Sequence, residues 1–236
     1  MGITHAAAAA GKLPALMEAV ARHPEASQLE PLVLRSMARY ARLDALPILD
    51  RAVQVAASPR HAAAAVAGPR ALVNARPDEM QALCRWTQEQ LGHSLPSVRA
   101  EASRTLVWCG GLFADALLKE ASAWVDAHNL DKNLPSALAG LCPAVRPQPG
   151  ADAGSTPPPS EDDARRCDAL LSLLERATRD AAMAPDARAR ALNTRALLRP
   201  DEAARTLAQG IQRAPEEHLR MQATSVLRRM DARSTP

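Results

Sequence analysis

Two segments of the chain share one pattern of apolar and polar positions. Leu13-Pro14-Ala15-Leu16-Met17-Glu18-Ala19-Val20 is matched 33 residues later by Leu46-Pro47-Ile48-Leu49-Asp50-Arg51-Ala52-Val53. Leu, Pro, Leu, Ala and Val coincide, and the apolar residues fall at intervals of three and four. Such spacing places them on one stripe of a helix, which must be buried against something. Proline near the start is compatible, because the first-turn N–H groups have no helical partner.

Other prolines punctuate the chain in the same way. Pro31, Pro59, Pro96, Pro185 and Pro215 each precede an Ala/Arg/Leu-rich amphipathic run. Arg70-Ala71-Leu72 leading to Arg76-Pro77-Asp78-Glu79 is echoed by Arg195-Ala196-Leu197 leading to Arg199-Pro200-Asp201-Glu202. Each reads as a helix end, a break, and a new helix with acids at its positive end. These start and stop signals predict helical hairpins over about 31–56, 59–92, 96–128 and 185–213, a helix over about 12–23 and a last one over about 215–230. Pro143, Pro147, Pro149, Pro157, Pro158 and Pro159 predict an extended loop or linker over 143–160, between repeats in 1–142 and further repeats in 161–236. Ser160, with Asp163 near the capping-box position, then opens a helix to about 181.

Composition narrows the class. Hydrophobic residues make up 47% of the 236, and aromatics only 2%. The apolar content is mostly Ala and Leu, so the core is helical and built from small side chains. The fold expected is all-α, a row of antiparallel helical hairpins, with a helical bundle as the rival arrangement. No apolar run reaches membrane-spanning length.

These features resemble the HEAT repeat family. Asp44-Ala45-Leu46-Pro47-Ile48-Leu49 carries the resemblance for a second helix, and Pro96-Ser97-Val98-Arg99-Ala100-Glu101-Ala102 for a first helix. It extends over most of 10–128 and 184–230. The resemblance implies an α-solenoid whose second helices line a concave, protein-binding face. Stacked repeats make such a groove on physical grounds as well, since its exposed residues do not serve the core. On the second helices, Arg51, Gln54, Arg85, Gln88, Lys119, Arg205 and Gln209 lie off the apolar stripe and are the candidate contact residues. Arg35, Arg39 and Arg42, on one helical face, could clamp an acidic segment of a protein partner.

Charge and chemistry add little to this. There are 29 basic and 26 acidic residues, a net charge of +3, and Lys occurs only at 12, 119 and 132. Arg and acids alternate, as in Glu175-Arg176, Arg179-Asp180 and Asp186 to Arg190, which reads as solvated helix faces in a bacterial-type, GC-rich composition. A nucleic-acid binder would show a one-sided basic excess. The histidines His5, His23, His61, His93, His128 and His218 form no close-spaced metal set, and no catalytic constellation or cofactor motif is present. His93 and His128 fall at hairpin ends, where capping or solvent exposure accounts for them. Cys84, Cys109, Cys142 and Cys167 form no CxxC pair and read as ordinary structural thiols, which fits a reducing, cytoplasmic setting. The N-terminus lacks a basic segment followed by a long apolar stretch, so a signal peptide is not expected.

The expected function is a non-enzymatic protein-binding scaffold. Two alternatives rest on the same resemblance. In a HEAT-like nucleic-acid-binding protein or DNA glycosylase, an exposed Trp with nearby Asp115 and Arg104 would grip a base. In a HEAT-like bilin lyase or accessory factor, Cys84 or Cys109 would be an exposed thiol. Trp108, Phe113 and Trp124 are expected first of all to fill the core.

Overall fold

A computed structural model describes residues 4, 6–7, 10–23, 25–55, 59–67, 77–109, 111–142 and 160–234. All regular structure among them is helical, with no strand. The helices are α1 (Leu13–Ala21), α2 (Ala26–Ala41), α3 (Leu46–Gln54), α4 (Pro59–Ala67), α5 (Pro77–Glu89), α6 (Pro96–Cys109), α7 (Gly111–Asp126), α8 (Leu134–Leu138), α9 (Glu161–Arg179), α10 (Pro185–Leu198), α11 (Glu202–Ile211) and α12 (Glu217–Ser234). Short 3-10 turns precede α3 (Arg42–Ala45) and follow α5 (Gln90–Gly92) and α8 (Ala139–Leu141). The segments 68–76 and 143–159, which include Arg70-Ala71-Leu72 and the proline cluster, lie outside the described residues.

Local chemistry accounts for the boundaries. Pro59, Pro77, Pro96 and Pro185 are the first residues of α4, α5, α6 and α10, where a missing N–H costs nothing. Ser160 accepts the backbone N–H of Asp163 at 3.1 Å and caps α9. Asp201 does the same for α11 through the N–H of Ala204 at 2.9 Å. Such caps satisfy first-turn donors that have no helical partner. Gly111, the first residue of α7, has a φ of +42°, which glycine adopts without a Cβ clash. Pro31 departs from expectation. It lies inside α2, which starts at Ala26. Favourable residues on both sides keep that helix continuous although the ring removes one hydrogen-bond donor.

The chain forms two compact units, Met1–Phe113 and Ala114–Pro236. The division falls early in α7, not at the proline-rich segment. On the C-terminal side α8 packs against α10, and Cys142 is joined to Cys167 of α9, so residues on both sides of that segment belong to one unit.

In the N-terminal unit α2 packs on α4 and α4 on α6, while α1, α3 and α5 each pack on the next even-numbered helix. The central helix α4 is buried almost all round through His61, Ala62, Ala64, Ala65, Val66 and Ala67. Alanine lets its neighbours approach closely, and Thr105 Oγ1 of α6 donates to the carbonyl of Val66 at 3.0 Å. In the C-terminal unit α10 packs on α8, α9, α11 and α12. Leu192, Ala196, Ala204, Leu207, Ala208, Ile211, Leu219, Ala223 and Val226 form one buried cluster across α10, α11 and α12.

Two further expectations are corrected. The charged run from Asp186 to Arg190 is not simply a solvated face, because Arg188 is buried and so is Arg195 one face-repeat later. α10 is covered on several sides, so only part of it meets water. The cysteines are not free thiols. Cys84 is bonded to Cys109 and Cys142 to Cys167, each pair 25 residues apart. Antiparallel neighbours bring such distant positions together, which linear spacing does not reveal.

Candidate partner-binding surface

The sequence-derived candidates all sit on odd-numbered helices. In the N-terminal unit one polar bond ties two of these helices together. Trp86 of α5 is buried, and its Nε1–H donates to Asp50 Oδ1 of α3 at 3.2 Å. The other carboxylate oxygen of Asp50 accepts from Gln54 Nε2 at 2.7 Å. Gln54 is therefore exposed but engaged. Arg51 and Arg85 flank this pair in sequence and are exposed, with no ion pair among the described residues. Gln88, one turn beyond Arg85, is half-buried. The structure thus brings Arg51, Gln54, Arg85 and Gln88 onto two helices linked through Asp50 and Trp86. Arg35 is also exposed, while the side chains of Arg39 and Arg42 lie outside the described set.

In the C-terminal unit the candidates are differently placed. Arg205 is held by Asp231, Nη1 to Oδ1 at 2.7 Å, and lies 3.8 Å from Glu202. The hydrogen bond to Asp231 raises its already high pKa. Its guanidinium is committed to joining α11 to α12. Gln209 and Lys119 are exposed, and Lys119 has no ion pair among the described residues.

Two open clefts in this unit were not foreseen. One, of about 230 Å³, is lined by Lys132, Asp186, Arg190, Asn193, His218 and Gln222. Asp186 lies 3.7 Å from both Lys132 Nζ and His218 Nε2. A broader one, of about 730 Å³, runs along the outer side of α12 past Arg220, Met221, Thr224 and Arg228. Met221 there is 63% exposed. Lys132, Asp186 and His218 meet only through packing of α10, α12 and the turn before α8.

The residues named for base recognition are otherwise engaged. Arg166 donates to both oxygens of Asp115, at 2.9 and 3.1 Å, and this fastens α9 to α7. That hydrogen bond, opposed by partial burial, holds the Asp115 carboxyl below its ordinary range, which makes it a weak base. Arg104 pairs with Glu101 at 2.6 Å. Phe113 and Trp124 are half-buried, and the side chain of Trp108 is outside the described set. Cys84 and Cys109, bonded to each other, present no thiolate.

The histidines at hairpin ends make structural contacts. His93 Nδ1 accepts the N–H of Leu95 at 3.1 Å. His128, at φ 55°, pairs with Asp180, Nδ1 to Oδ2 at 2.5 Å. Among the described residues no group of three His, Cys, Asp or Glu side chains could hold a metal ion, and no helix is long and apolar enough to cross a membrane.

Fold and surface together define a protein that is all-helical among the described residues and whose odd-numbered helices carry exposed polar side chains. No family profile, curated protein or solved structure matches the chain.

Proposed function

We propose that this chain is a non-enzymatic scaffold of HEAT-like hairpins that binds a protein partner through its odd-numbered helices. The hydrogen bond between Trp86 and Asp50 carries the reading. It links α3 to α5, so Arg51 and Arg85 are displayed from two helices tied to each other. Preorganised groups lose less freedom on binding. Both guanidiniums are exposed and have no ion pair among the described residues, which favours a partner segment rich in carboxylates. The solenoid arrangement is supported by alternate-helix packing, α2 to α4 to α6 in one unit and α8 to α10 to α12 in the other. In a row of hairpins each helix meets the equivalent helix of the next.

The test compares the wild-type chain with R51E/R85E, both immobilised and exposed to extract of the native cells. A protein retained in stoichiometric amount by the wild type and lost by the variant, at unchanged circular dichroism and melting temperature, is the expected result. Retention of that same protein by the charge-reversed variant would overturn the reading. A steeply salt-dependent affinity for duplex DNA would favour nucleic acid instead.

A further inference from the structure

The four cysteines lie far apart in sequence, yet each has one partner. Cys84 of α5 meets Cys109 at the end of α6, and their Cα atoms are 6.0 Å apart. Cys142, just after the turn that follows α8, meets Cys167 of α9 with Cα atoms 4.7 Å apart. Both separations lie in the range that a disulfide spans without backbone movement. No cysteine is left over. Each compact unit receives one bond, and each bond joins an odd-numbered helix to the end of the adjoining even-numbered element.

Four scattered thiols kept only as small apolar residues have no reason to meet in two pairs. The pairing also acts where stabilisation is scarce. The core is poor in aromatics and rich in alanine, so burial per residue is modest. The bond from Cys142 to Cys167 further links positions 25 residues apart, and such a cross-link removes freedom from the unfolded chain. Cys84 and Cys142 are almost fully buried, whereas Cys109 and Cys167 are half-buried, so each bond has one end in the interior.

We infer that both disulfides are permanent structural bonds and that the protein works in an oxidising compartment. Intracellular thiol buffers keep such pairs reduced in most cells, whereas oxidising compartments retain them. This replaces the reducing, cytoplasmic setting that the cysteine spacing alone implied, and it is independent of the partner-binding reading. Each bond forms by thiol–disulfide exchange. Two cysteine thiols give up two protons and two electrons to a donor disulfide of the compartment, which leaves as a dithiol.

Thiol trapping in the native cells tests the inference. Cells are quenched in acid, denatured and treated with a maleimide–polyethylene glycol before or after reduction. The expected result is no labelled cysteine before reduction and all four labelled after it. Labelling without reduction, whether complete or varying with growth conditions, would overturn it. On the purified protein, reductant should lower the melting temperature by on the order of 10 °C. C84S/C109S and C142S/C167S should each account for part of that fall. A melting temperature indifferent to reductant would equally refute a structural role.

Discussion

Arg188 and Arg195 stand seven residues apart on one face of α10, and each reaches from α9 to the start of the helix that follows in the stack. Arg188 donates from Nε to the carbonyl of Thr178 and from Nη1 to Glu216, just before α12. Arg195 donates to Glu175 of α9, to the carbonyl of Arg199 and to both oxygens of Asp201, the cap of α11. Seven residues are close to two helical turns, so one face serves both. Their side chains are only 7% and 3% exposed, yet five of their six guanidinium nitrogens donate a hydrogen bond. In this way α10 sets where three neighbouring elements begin or end.

Replacing Arg195 by Ala strands Glu175 and Asp201 without their shared cation. Breaking a buried pair on one side costs about 3 kcal/mol. Arg195→Lys should recover only part of this, because an ammonium lacks the planar fork that meets three acceptors. Chemical denaturation of the three proteins checks the order. Equal stability of the Lys variant and the wild type would show that charge alone suffices.

Acid should unfold the protein through a small set of carboxylates. Asp115 is held below the ordinary 3.8 chiefly by the Arg166 hydrogen bond, and Asp180 chiefly by His128. Burial pushes Asp201 the other way, but the N–H of Ala204 and the Arg195 guanidinium outweigh it. A lowered folded-state pKa means that the unfolded chain takes up protons first. The stabilisation is complete above the unfolded value and is lost as pH falls through the folded one, that is, below about pH 4. D115N, D180N and D201N should each be less stable at neutral pH, with a shallower loss in acid. Melting temperatures across that pH range test this, and parallel curves for wild type and variants would contradict it.

Asp50→Ala removes the acceptor of the Trp86 indole. Loss of one such hydrogen bond, with the indole left unsatisfied, should destabilise the N-terminal unit by about 1 kcal/mol. If the bond also preorganises the binding helices, partner affinity should fall although no contact residue has changed. Denaturation and a partner titration on the same variant separate the two effects.

Leu192→Ala opens a cavity in the cluster shared by α10, α11 and α12. Leu192 is fully buried, so the expected cost is about 3 kcal/mol. Met221→Ala, on the exposed side of α12, should change stability little. Equal losses for the two would mean that the α12 surface is covered in solution.

Helix type and most helix starts were legible in the sequence because their causes are local. Proline at the first position, the Ser160 cap and the three-four spacing of Leu46, Leu49 and Val53 act within a turn or two of their own residues. Arg51 and Arg85 could likewise be read as outward-facing from their place off the apolar stripe. What a stripe cannot say is which other stripe it meets. The pairings of Cys84 with Cys109, Asp50 with Trp86, Arg166 with Asp115, and Arg195 with Glu175 each span 20 residues or more, and only packing decides them. Packing also reversed the reading of α10. Arg188 looks solvated in a linear view, yet α10 is covered on several sides, and the carbonyl of Thr178 and the carboxylate of Glu216 take the place of water.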